Sequence, residues 1–153
     1  MLSHIALLEQ RAADLYAHYA SLFRHDAEAH TLFLRMKREE DGHYALVKLQ
    51  ERVVNGSDAG IVPVAVDMSG IDSIVQAIEA QLSVRNTELL NALDFAIMLE
   101  TNGMEASYRT LLTRQNPDLA KLSNALSSGD QHHVNNLKRV KESVVSRRAV
   151  PVR

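Results

Sequence analysis

The chain has 153 residues, 46% hydrophobic and 24% charged, enough to bury one sizeable core and too apolar for a disordered chain. Nineteen acidic against 17 basic residues give a net charge of −2, which excludes a globally basic nucleic-acid binder; the lack of cysteine excludes a disulfide scaffold, a zinc ribbon, a thiolate iron site and a thiol nucleophile. No apolar run approaches the roughly 18 residues of a membrane helix, and Met1-Leu2-Ser3-His4 does not open a signal peptide, so the expectation is a cytoplasmic protein without a membrane partner.

Ser3 is placed to cap a first helix over 3–24, with Ile5, Ala12, Ala13, Tyr16, Ala20 and Phe23 at helical spacing. Residues 26–31 read as a turn and restart. A second helix over 28–54 carries Leu32, Phe33, Met36, Val47 and Val54 on one face, and Asn55-Gly56-Ser57-Asp58-Ala59-Gly60 stops it. Residues 55–70 read as a crossover. Within them Ile61-Val62-Pro63-Val64-Ala65-Val66 is strand-like, but its proline and isolation favour an extended linker. A short helix over 72–83, a third long helix over 86–114, a break at Asn116-Pro117-Asp118 and a fourth long helix over 118–146 complete the pattern. The expected fold is all-α: one domain over 1–146, a four-helix bundle with a long crossover between helices 2 and 3 and an extra short helix. The basic tail 147–153 is expected to fray. Leu15, Leu22 and Val75 are left over as an apolar surface on which a homodimer would form.

Acidic residues stand where this core should be. On the fourth helix the stripe Leu119, Leu122, Leu126, Asp130, His133, Leu137, Val140, Val144 is apolar except for its two central members. On the second, Glu40 and His43 fall in register with Phe33, Met36 and Val47. The first helix carries Glu9 on its stripe, and the third carries Glu100 between Ala96 and Met104. A carboxylate in a dry core costs several kcal/mol unless it is paired, protonated or metal-bound. Singly, each residue is better read as a stripe-edge glutamate or a satisfied core histidine. Together they give Glu, Glu-x-x-His, Glu, Asp-x-x-His, one group per helix. Glu9 to Glu40 is 31 residues and Glu100 to Asp130 is 30. With turns near 26 and 116, all four carboxylates fall within roughly 5 Å of one level at about 1.5 Å rise per residue. Carboxylates and neutral imidazoles suit iron or manganese, and four carboxylates neutralise two divalent ions. Of the other histidines, His25 and His30 are expected in solvent at the first turn, His4 and His18 on the surface, and His132 beside the site.

With these residues the chain resembles the rubrerythrin branch of the ferritin-like superfamily over about residues 3–145. Tyr16, seven after Glu9, Tyr108, eight after Glu100, the run Ala96-Ile97-Met98-Leu99-Glu100-Thr101-Asn102 and the pair His132-His133 add to the likeness. The resemblance implies two iron ions, with manganese or zinc as alternatives, held by Glu9, Glu40, His43, Glu100, Asp130 and His133. It implies Tyr16 and Tyr108 close to that centre, and a redox reaction with hydrogen peroxide or dioxygen. The same ligands would serve iron oxidation for storage or plain metal binding, and a metal-free interaction bundle is the third reading. Three departures qualify the likeness. Without cysteine, electrons must come from a separate donor protein. Gly103 stands where rubrerythrins carry an extra glutamate, which implies that His43 keeps its metal in both oxidation states and that preference for peroxide over dioxygen is weaker. Asp130 is one methylene shorter than the usual glutamate.

Overall fold

The computed structural model describes residues 2–56, 69–102 and 117–149, with the backbone alone for residues 54 and 117–131. Those residues form five helices: α1 (Leu2–Leu22), α2 (Ala27–Gly56), α3 (Ser69–Leu82), α4 (Leu89–Thr101) and α5 (Pro117–Ala149). The tight turn between α1 and α2 follows from Asp26. Its Oδ1 accepts the Ala29 N–H at 3.1 Å, satisfying one of the free donors of the α2 N-terminus. Glu28 adds favourable negative charge in the first turn.

Cross-helix contacts give the directions. His30 on α2 reaches the Ala20 carbonyl on α1 at 2.8 Å, and His43 faces Glu9. Asp26 meets Arg147, Glu28 meets Ser143 and Arg139, and Glu39 meets His133. Glu88 pairs with Arg148, Asp94 with Lys141 and Glu100 with His133. In each pair of helices one number falls as the other rises, so α1–α2, α2–α5 and α4–α5 are antiparallel. Because α2 and α4 both oppose α5, they run parallel to each other, and the chain between them returns along the bundle. The strand-like run 61–66 and the predicted continuation of the third helix to 114 lie outside the described residues.

The core joins Phe33, Met36 and Val47 of α2 to Leu93 and Ala96 of α4 and to Leu137, Val140 and Val144 of α5. α1 buries more than the single stripe expected of it, because α3 packs along it as well. Leu8 and Leu15 join the core together with Ile71, Ile74, Val75 and Ile78 of α3. Leu15 and Val75 are therefore interior residues rather than a face left open for a second copy. The helix bounds at the C-terminal end extend slightly past the expected 146, and residues 150–153 lie outside the described residues. α5 runs on to Ala149, since Arg147 and Arg148 suit a helix C-terminus and find Asp26 at 3.1 Å and Glu88 at 3.2 Å.

Candidate metal centre

Glu9, Glu40, His43 and His133 are all buried within the bundle, and Glu100 is nearly so, with its side chain 10% exposed. They come from four helices. Each helix places its residue by the 3-4 spacing of its apolar stripe: Glu9 between Ile5 and Ala12, Glu40 and His43 between Met36 and Val47, Glu100 four after Ala96, His133 four before Leu137.

The side chains converge in two triads. In one, Glu9, Glu40 and His43 bring a donor atom each to within 4.8 Å of the others; in the second, Glu40, Glu100 and His133 do the same. Glu40 belongs to both. Its Oε2 lies 3.0 Å from Nδ1 of His43, and its Oε1 lies 3.8 Å from Nδ1 of His133. Glu9 Oε2 is 3.7 Å from the same nitrogen of His43, and Glu100 Oε2 is 2.9 Å from that of His133. The two imidazoles lie stacked, ring centres 6.1 Å apart and planes inclined by 28°. Both histidines thus turn Nδ1 inward, one to each side of Glu40.

Around the triads, the Tyr16 hydroxyl donates to Glu100 Oε1 at 2.5 Å and leaves Oε2 for the His133 side. Tyr16 is fully buried against Phe33. Burial of the His133 ring opposes its charge, but the Glu100 and Glu39 carboxylates outweigh that and hold it above its ordinary value. Its Nε2 touches Oε2 of Glu39.

These donors fit a pair of divalent ions. Three carboxylates and two imidazoles offer oxygen and nitrogen ligands without thiolate, the set that iron, manganese and zinc accept. Glu9 Oε2 is buried and has no hydrogen-bond partner, an arrangement that is expensive in a structural carboxylate and expected of one that awaits a cation.

Five of the six ligand candidates therefore meet. The side chain of Asp130, together with Tyr108 and Gly103, lies outside the described residues. His132 is exposed and lies beside the site, as expected. His30 differs: it is half-buried and bound to the Ala20 carbonyl, since α2 folds back over the last turn of α1. His18 likewise faces the Val84 carbonyl at 3.0 Å. Glu39 was not visible to stripe reasoning. It sits about 100° from Glu40, outside the apolar stripe, and reaches His133 only because α5 packs beside it. Its adjacency to Glu40 was the one available signal. Compared with family models, curated proteins and solved structures, the chain finds no match.

Proposed function

We propose that this chain is a dinuclear metal–carboxylate protein of rubrerythrin-like, ferritin-like character. The observation that carries the reading is the pair of donor triads sharing Glu40. Glu9, Glu40 and His43 would hold one ion and Glu40, Glu100 and His133 the other, with Asp130 as the sixth ligand by its place in the sequence. The parallel course of α2 and α4, with a long return between them, supports the same bundle topology.

Bound iron would supply one-electron redox chemistry toward hydrogen peroxide or dioxygen. The chain's own part is to assemble negative charge around a dry centre and to orient it. Glu40 presents one oxygen to each half. Tyr16 occupies the Oε1 of Glu100, which fixes the carboxylate plane and supplies a hydroxyl proton beside the site. Phe33 and Met36, both fully buried, keep solvent from that side. With no cysteine among these residues there is no thiolate iron site here to deliver electrons, which would come from outside them.

The test is metal content after anaerobic loading with Fe(II). Wild type should hold two ions per chain, and Glu40→Ala should lower occupancy of both positions, because it removes a ligand common to them. Full metal content in that variant would refute the assignment. A pulse of peroxide or dioxygen on the loaded wild type then separates redox turnover from plain metal binding.

A further inference from the structure

We propose that Glu39 is the positioning residue of one half of this centre: it holds the outer nitrogen of His133 and so keeps Nδ1 directed at Glu40 and Glu100. The inference rests on the two-ion reading above. A neutral imidazole donates from one nitrogen and offers a lone pair on the other, so whatever accepts the outer N–H decides which nitrogen is free to bind a cation.

The geometry supplies such an acceptor. His133 is 2% exposed, and its two nitrogens face opposite ways. Nδ1 faces Glu100 and Glu40, while Nε2 is in contact with Glu39 Oε2. Both atoms of that contact are buried and neither makes a hydrogen bond elsewhere. The Glu39 side chain is 40% exposed and its other oxygen lies 3.8 Å from Arg35, which leaves the carboxylate room to turn onto the N–H. A cavity of about 300 Å³ bounded by Arg35, Glu39, His132, His133 and Asn136 adjoins this edge of the ring. Without Glu39, water in that cavity would be the outer partner of His133, and the ring would lose its fixed orientation.

Glu39 touches the histidine of one half of the site. Loss of Glu39 should therefore weaken one metal position and spare the other.

The experiment titrates Zn(II), a diamagnetic probe, into the full chain and into its Glu39→Ala and Glu39→Gln variants, with calorimetry and with nitrogen-15-labelled histidine. Wild type should bind two ions, and the His133 Nε2–H should give a downfield proton that exchanges slowly with water. Glu39→Ala should leave one position unchanged, weaken the other about 10–100-fold and lose the slow-exchanging proton. Glu39→Gln keeps an oxygen acceptor, so it should retain the proton and show a smaller loss; it decides the question should the alanine variant fail to fold. Two unchanged positions in Glu39→Ala or, should that variant fail to fold, loss of the slow-exchanging proton in Glu39→Gln with both positions unchanged, overturn the role of Glu39 and leave the two-ion reading standing. Equal weakening of both positions with the His133 proton retained assigns Glu39 a general structural part and also overturns it. Wild type that binds fewer than two ions overturns the two-ion reading itself.

Discussion

Glu9→Leu separates function from stability most directly. Glu9 is 2% exposed, its neighbours on the stripe are Ile5 and Ala12, and its Oε2 has no hydrogen-bond partner. Leucine has similar bulk and no polar atom. The substitution does not strand an imidazole, because His43 keeps Glu40 at 3.0 Å against 3.7 Å for Glu9. Relief of an unpartnered buried polar atom is worth about 1–3 kcal/mol, and replacement of buried ionic groups by well-packed apolar ones stabilises by about 1–4 kcal/mol. At roughly 2–4 °C per kcal/mol for a chain of this size, the metal-free variant should melt roughly 2–16 °C above wild type.

With metal the gap should narrow, and it reverses where the metal-free gain is below about 2.7 kcal/mol. A ligand at 100 times its Kd stabilises the native state by about 2.7 kcal/mol, and two ions add their increments. Wild type should gain this in full. The variant, short of a ligand at one position, should gain less. The assay is thermal unfolding of both proteins in chelator and in excess Zn(II), followed by circular dichroism at 222 nm. A metal-free variant less stable than wild type would show that Glu9 is held by structural partners and refute the reasoning. Equal metal-induced shifts in the two proteins would refute its place as a ligand.

Two further outcomes follow from the surroundings of the centre. His133 is raised above its ordinary value near 6.5 in the metal-free protein, so the stability it contributes is fully present below that pH and is lost as pH rises through its folded value. Urea unfolding in chelator should therefore show this term falling above about pH 6.5 in wild type and missing in His133→Gln, while apparent metal affinity rises with pH over the same window because the ion displaces a proton. Tyr16→Phe removes a fully buried hydroxyl that donates to Glu100 at 2.5 Å, and should lower metal-free stability by about 1.5–3 kcal/mol in urea unfolding; a change below about 0.5 kcal/mol would show the hydrogen bond to be incidental.

Much of the site was legible because a polar residue on an apolar stripe is visible in one dimension. Glu40, His43 and His133 occupy stripe positions that their neighbours mark as interior, and level carboxylates on adjacent helices follow from loop positions and rise per residue. What the sequence did not disclose depends on how helices meet. The second buried face of α1 is set by α3, and no periodicity within α1 alone says that Leu8 and Leu15 have a neighbour. The ordered end of α5 depends on Asp26, Glu28 and Glu88, more than 50 residues away in sequence. His30 reads as a turn histidine until α2 folds back over the Ala20 carbonyl.

Glu40 lies between the two histidines, 3.0 Å from one Nδ1 and 3.8 Å from the other. α2 packs against both α1 and α5, so a carboxylate on its inner stripe can face Glu9 on one side and His133 on the other. On the proposed two-ion reading, Glu40 is therefore where a single substitution should disturb both positions at once.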